Sequence, residues 1–335
     1  MAADGITTIS IVGAGAFGTA LALAARRAER QVVLWARRPE LAAELEQQRE
    51  NAVYLPGVVL DQEVRVTADP AEAARGEVLL MAVPAQHMRA AARLFKPHLP
   101  RGTAVVSCAK GIERDSLKLM SEVLGEELPG CPLAVLSGPT FAAEVARGYP
   151  AAATLAAEDP AVGESLVAAL GSRRFRPYLS DDLIGAEIGG AVKNVLAIAC
   201  GIVTGRMLGD SARAALVTRG LAEIVRLGRA KGAKAETLMG LSGIGDLTLT
   251  CSAMLSRNYS LGVALGQGRH LEEVLAERHS VAEGVHSAAA VVALAARYGL
   301  DMPISEAVDA VLNRQAAVEE TIEGLLARPF RAERA

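Results

Sequence analysis

The sequence predicts an α/β fold, a doubly wound parallel sheet, followed by an all-α C-terminal domain. Three observations predict it. A glycine-rich turn, Gly13-Ala14-Gly15-Ala16-Phe17-Gly18, follows a β-branched run and opens an alanine- and leucine-rich helical stretch. Apolar runs then alternate with helically spaced segments as far as about residue 156, the pattern of parallel strands joined by crossover helices. After Pro177 the texture changes to glycine-punctuated helical patterns with few β-branched runs.

Residues 7–12 read as the first strand, 19–27 as the first helix, 31–35 as a second buried strand and 39–49 as a second helix. Further strands are expected at 77–83, 103–109 and 133–136, with helical segments at 86–95 and 116–124 and a last strand at 152–156. The change of texture over residues 176–180 sets the expected boundary. Residues 1–178 form a dinucleotide-binding, Rossmann-like domain, and residues 179–335 a helical substrate-binding and catalytic domain.

A chain of 335 residues is too long for one ordinary core, which agrees with two domains. Half of it is apolar, 22% is charged and the net charge is −3, so no basic excess points to nucleic acid. The cysteines, Cys108, Cys131, Cys200 and Cys251, form neither a CxxC pair nor a dense disulfide framework. The first ten residues lack the basic and apolar regions of a secretory signal. A reduced, cytoplasmic chain is expected. The apolar stretches at 191–203 and 288–296 fall short of the roughly 20 residues of a bilayer span, so no integral membrane segment is expected. The histidines, His87, His98, His270, His279 and His286, show no HExxH or Cys/His zinc spacing, and no metal is expected.

The glycine turn is the first functional feature. Gly13 allows the tight turn, Gly15 the approach of a pyrophosphate and Gly18 close helix packing, while the helix N-terminus offers N–H groups to the anion. An NAD-selective site places an acid at the end of the second strand. Here the sequence is Trp35-Ala36-Arg37-Arg38, with two guanidiniums suited to a 2′-phosphate. NADP(H) is favoured and NAD(H) possible; the plainer reading makes Arg37 and Arg38 a solvated start to the next helix.

A second set of residues lies where the strands end, the rim of the ligand crevice in open α/β sheets: Val83-Pro84, Ala109-Lys110-Gly111 and the run from Ser137 to Phe141. In the helical half, Lys193 and Asn194 interrupt an apolar helix, and Asp246, Ser256, Arg257 and Asn258 add an acid, a cation and polar donors. Together they suit a small anion. Each has a bland alternative: Lys193 snorkelling to the surface, Asp246 capping the turn after Gly245 and Thr250 packing; Glu187, about one helical turn before Lys193, either pairs with it or only faces solvent, and is not counted in the site.

At these residues the chain resembles the bacterial glycerol-3-phosphate dehydrogenase family, whose motifs appear here as GAGAFGTALA, LSGPTFAAE, GGAVKN, TRGLAE, GLSGIGDLTLTC, SRN and VAEG. The resemblance runs from about Ile9 to Ile304 with the motif order kept. It implies an eight-stranded Rossmann-like domain, a helical domain, often a homodimer, and a role in supplying glycerophospholipid synthesis. It implies that Lys193 is the proton donor and acceptor. It places Lys110, Gly138, Thr140, Asp246, Ser256, Arg257 and Asn258 on the substrate, to which the neighbour Asn194 is added. It places Ala16, Phe17, Arg37, Lys110, Ala142, Arg257, Val281 and Glu283 on the cofactor. Two departures stand out: Ala16 where serine is common, and Tyr259 where a basic residue is frequent.

The chemistry is coherent with that resemblance. Hydride arriving at C2 of dihydroxyacetone phosphate creates an alkoxide, and an ammonium such as Lys193 stabilises it and gives up a proton. Arg257 with Ser256 and Asn258 offers forked donors to a phosphate. Other readings stay open at this level: a lysine-dependent reductase of a keto acid such as ketopantoate, a sugar-phosphate dehydrogenase, and a nucleotide sensor without turnover.

Overall fold

A computed structural model describes residues 5–277 and 282–330. Contacts divide the chain into two units. One runs to Ala109 and resumes over Met120–Leu183; the other comprises Lys110–Leu119 and the described residues from Ile184 onward. Lys110–Leu119 groups with the helical unit because Ile112, Leu117 and Leu119 are buried in the helical core.

The first unit is built on strands β1 (Thr8–Val12), β2 (Gln31–Trp35), β3 (Val64–Thr67), β4 (Val78–Met81), β5 (Ala104–Ser107), β6 (Leu133–Ser137), β7 (Ala151–Ala157) and β8 (Phe175–Ser180). Its helices are α1 (Ala16–Arg27), α2 (Pro39–Gln48), α3 (Pro70–Ala73), α4 (Met88–Phe95), α5 (Met120–Glu127), α6 (Ala142–Ala146) and α7 (Pro160–Leu170). The strands form one eight-stranded sheet in the order β3-β2-β1-β4-β5-β6-β7-β8. The order reverses between β1 and β4, which makes the carboxyl end of β1 the switch point where ligands bind in such sheets.

Side chains alternate into two layers, as a pleated strand buried on both faces requires. Ile9, Ile11, Val78, Leu80, Ala104 and Val106 join the core shared with α1 and α7. Val12, Leu79, Met81 and Val105 join the opposite core, where Trp35 meets Phe95 edge-on at 5.3 Å.

Three features differ from the sequence expectation. β3 and β8 are additional strands; β8 carries Pro177 and exposed Arg176 and Tyr178, a pattern tolerated at an edge and foreign to a buried strand. β7 runs antiparallel to β6. The link over residues 138–150 brings the chain back beside the end of β6, with Ser137 paired to Thr154, so β7 retraces it. Third, the apolar stretch around residues 191–203 belongs to a helix of 23 residues, Leu183–Gly205, long and apolar enough by composition to cross a bilayer; 89% of its apolar 18-residue stretch is buried inside the protein.

That helix is α8, and the second unit continues with α9 (Asp210–Lys231), α10 (Ala235–Leu238), α11 (Asp246–Thr250), α12 (Arg257–Gly266), α13 (Leu271–Ala276), α14 (Glu283–Arg297), α15 (Pro303–Asn313) and α16 (Val318–Leu326). α8 is the axis of its core: Ile188, Val192, Val195, Leu196 and Cys200 are fully buried. α12 lies against it backbone to backbone. A Cβ at Gly201 would collide with the Tyr259 carbonyl, and one at Gly262 with the Ile198 carbonyl. This close approach fixes Arg257 and Asn258, at the start of α12, relative to α8.

Candidate active site

In the first unit, the turn between β1 and α1 has the geometry that its glycines demand. Gly13 has φ +113° and donates its N–H to the Trp35 carbonyl at 3.0 Å; a Cβ there would lie 2.7 Å from the Ala82 carbonyl oxygen. A Cβ on Gly18 would collide with the Gly13 carbonyl oxygen. Gly15 is different: a Cβ there would meet nothing within 4 Å. It is the N-cap of α1 and supplies no side-chain cap, and the positive end of a helix suits an anion. The residues present therefore fit the pyrophosphate of a dinucleotide. Arg37 and Arg38 follow β2 with exposed side chains.

The second unit holds a buried charged cluster. Asp246, at the start of α11, is 1% exposed and accepts from two lysines, Lys193 Nζ at 2.5 Å on Oδ1 and Lys110 Nζ at 2.7 Å on Oδ2. Lys193 also donates to the Thr250 hydroxyl at 2.8 Å, and that hydroxyl donates to Asp246 Oδ1 at 3.3 Å. Asp246 and Thr250 are four residues apart and share one face of α11. Burial drives the Lys193 pKa down to about 7, with Lys110 adding repulsion and the Asp246 carboxylate opposing both.

An amide relay surrounds the cluster. The Gly284 N–H donates to Asn258 Oδ1 at 2.9 Å, Asn258 Nδ2 to Asn194 Oδ1 at 2.9 Å, and Asn194 Nδ2 to the Lys110 carbonyl at 3.1 Å. The relay ties α14, α12 and α8 to the backbone that carries Lys110.

Asp246 reaches Lys193 because the chain before it is wound as a π-turn, Leu241–Gly245, closed by the Gly245 N–H on the Gly240 carbonyl at 3.1 Å. Such turns recur at functional sites. The turn sits directly on α8: a Cβ at Gly189, one helical turn before Lys193, would collide with the Ser242 carbonyl oxygen.

Comparison with known proteins decides the family. The model of the N-terminal half of NAD-dependent glycerol-3-phosphate dehydrogenase matches residues 8–163, and that of the C-terminal half matches residues 182–323. The chain belongs to this family. It is 58% identical over 325 residues to the glycerol-3-phosphate dehydrogenase [NAD(P)+] of Parvibaculum lavamentivorans, covering 97% of this chain and 98% of that protein. It is 60% identical over 329 residues to the enzyme of the same name from Rhodospirillum rubrum, covering 98% and 94%. The crystal structure of glycerol-3-phosphate dehydrogenase from Coxiella burnetii superimposes with a TM-score of 0.93 at 37% identity, over 96% of this chain and 99% of that one.

In this member of the glycerol-3-phosphate dehydrogenase family, the residues singled out in the sequence fall into two groups. Gly13, Gly15, Ala16, Phe17 and Gly18 form the turn and the start of α1. With them in the first unit are Arg37, Arg38, Gly138, Thr140, whose hydroxyl donates to the Gly138 carbonyl at 3.1 Å, and Ala142, the first residue of α6. Lys110, Lys193, Asn194, Asp246, Ser256, Arg257, Asn258 and Glu283 lie in the second unit. Ser256 is buried as the N-cap of α12, accepting from the Tyr259 N–H at 3.2 Å, and Arg257 is exposed beside it. Val281 lies outside the described residues.

Sequence reasoning assigned no partner to Thr250, which is bonded to Lys193. Tyr259 turns into the helical core, its hydroxyl 2.8 Å from that of Thr204.

Proposed function

We propose that this chain interconverts dihydroxyacetone phosphate and sn-glycerol 3-phosphate with NADP(H) as the favoured cofactor, and that Lys193 gives and takes the proton. The single observation that carries the reading is the buried Lys193–Asp246 contact at 2.5 Å, with the lysine pKa pushed down to about 7, inside a chain of this family.

The nicotinamide, when bound, supplies or accepts the hydride. The chain's own residues do the rest. In reduction, negative charge grows on the C2 oxygen, and a protonated Lys193 donates to it. Two Lys193 hydrogens are held by Asp246 and Thr250; an ammonium has three donors, and the third serves the substrate oxygen. Lys110 adds positive charge on the far side of Asp246. With both lysines protonated the trio carries one net positive charge, suited to a developing alkoxide. In oxidation Lys193 begins neutral and takes the hydroxyl proton.

Arg257, next to the buried Ser256 and Asn258, binds the phosphate by forked, charge-assisted donation and orients C2 for transfer. Gly138 and Thr140 contribute further substrate contacts. On the cofactor, the glycine turn holds the pyrophosphate and Arg37 with Arg38 holds a 2′-phosphate, as two exposed guanidiniums with no acid at the end of β2 would do. Ala16, Phe17, Lys110, Ala142, Arg257 and Glu283 complete the cofactor contacts. We further infer a cytoplasmic homodimer, checked by sedimentation mass and by cell fractionation.

The testing experiment follows absorbance at 340 nm with NADPH and then NADH, on dihydroxyacetone phosphate and, separately, on ketopantoate. Turnover confined to the triose phosphate and faster with NADPH is the expected result. Turnover of ketopantoate alone would replace the substrate, and NADPH oxidation by neither would favour a binding protein.

A further inference from the structure

Asn51, in the loop after α2, is 1% exposed and belongs to none of the groups above. Its amide nitrogen donates to the Ala14 carbonyl at 3.0 Å and to the Thr19 hydroxyl at 2.8 Å. Its amide oxygen accepts from the Tyr54 N–H at 3.2 Å. All of its contacts lie in the first unit.

The loop that carries Asn51 is held independently. Arg49 adopts φ +54° at the end of α2, and its guanidinium donates to the Val64 carbonyl at 2.7 Å and to Glu46 at 3.0 Å. The Arg49 carbonyl accepts from the Leu60 N–H at 2.6 Å, and the Asn51 carbonyl from the Leu55 N–H at 2.7 Å. Asn51 is thus presented to the glycine turn from a braced loop.

Ala14 is the residue between the first two glycines of the turn. In a trans peptide the carbonyl of one residue and the N–H of the next point in opposite directions. With the Ala14 carbonyl fixed on Asn51, the Gly15 N–H points away from Asn51. Gly15 is also the position whose absent side chain leaves open space. The second amide hydrogen holds Thr19, in the first turn of α1, so one side chain clamps both the turn and the helix it opens.

We propose that Asn51 is a positioning residue for the dinucleotide: it sets the plane of the Ala14–Gly15 peptide so that the Gly15 N–H meets the pyrophosphate. This rests on the reading of the glycine turn as the pyrophosphate site. A carboxylate at position 51 would offer no hydrogen to the Ala14 carbonyl, and an alanine would leave that peptide free to rotate.

The test compares two ligands on the wild-type chain and on Asn51→Ala: ADP-ribose, which carries the pyrophosphate, and adenosine, which does not, each as a competitor of NADPH. Asn51→Ala is expected to weaken ADP-ribose by about 10- to 100-fold, the range for loss of a hydrogen bond to a charged acceptor, with adenosine unchanged. KM for NADPH rises with it while kcat at saturating cofactor changes little. Equal ADP-ribose affinity in a folded Asn51→Ala chain overturns the proposal, and so does an equal loss for both ligands. Should that chain fail to fold, the near-isosteric Thr19→Val decides: a selective loss of ADP-ribose affinity supports the clamp and unchanged affinity overturns it. Failure of the wild-type chain to bind ADP-ribose would instead sink the reading of the glycine turn.

Discussion

Asp246 Oδ1 lies 2.5 Å from Lys193 Nζ, and this contact limits how far burial drives the amine toward its neutral form. Without a partner, a lysine this deeply buried would be neutral throughout the physiological range; beside the carboxylate its pKa settles at about 7. The amine is thereby poised to hold or release a proton at neutral pH, which both reaction directions require.

The two directions therefore have opposite pH dependence. Oxidation needs neutral Lys193, so its kcat/KM rises with pH through about 7; reduction needs the ammonium, so its kcat/KM falls through the same region. Profiles measured in both directions on one preparation check this. Coincident optima would remove Lys193 as the group that sets them.

Asp246→Asn removes the charge shared by two lysines. Breaking a buried pair costs about 3–5 kcal/mol, and urea denaturation at pH 7 reads that loss. The deficit depends on pH with a definite sign. Asp246 raises the Lys193 pKa, so without it the folded pKa falls further below the unfolded value of about 10.4. Above pH 7 Lys193 is neutral in the folded form of both chains, so their stabilities run parallel toward pH 10; below it the wild-type amine binds its proton first, and the deficit widens as pH falls from about 7. A deficit no larger at pH 6 than at pH 8 would contradict the assigned coupling.

Gly189→Ala acts at a distance from the chemistry. The added methyl meets the Ser242 carbonyl of the π-turn, whose position sets Asp246. Overpacking of this kind costs about 1–3 kcal/mol. The expected kinetic result is a fall in kcat larger than any rise in KM for dihydroxyacetone phosphate, together with a displaced pH profile. An unchanged profile in the folded variant would detach the π-turn from the lysine.

Much of this was legible in the sequence, and what was not has physical reasons. The glycine turn is a local motif, and the strands around it are buried on both faces, so they read as plain apolar runs. β3, with Arg65 exposed in a four-residue strand, and β8, with Pro177, are edge strands whose composition resembles loop. The reversal of β7 against β6 is a property of the path between them rather than of either strand's residues. Lys193, Asp246 and Lys110 stand out as charges in apolar surroundings. Nothing local announces that one carboxylate bridges both amines, that Thr250 joins them, or that Asn51 reaches back to Ala14, because those partners are far apart along the chain.

Arg37→Ala addresses the cofactor. Two guanidiniums follow β2 with no acid in reach of a 2′-hydroxyl by sequence position. Removing one charge-assisted partner of a 2′-phosphate is worth about 1.5–3 kcal/mol, so kcat/KM for NADPH should fall by roughly 10- to 100-fold while that for NADH changes little. An unchanged ratio would return Arg37 to the solvated start of α2.

The central claim is that Lys193 moves the proton at C2 of dihydroxyacetone phosphate. The most direct measurement is the loss of 340 nm absorbance when that substrate is added to Lys193→Ala and NADPH, beside the wild-type chain and after ADP-ribose binding shows that the cofactor unit is intact. Loss of a general acid–base group should slow turnover by about 10²- to 10⁴-fold. Turnover within a few fold of wild type would contradict the role given to Lys193.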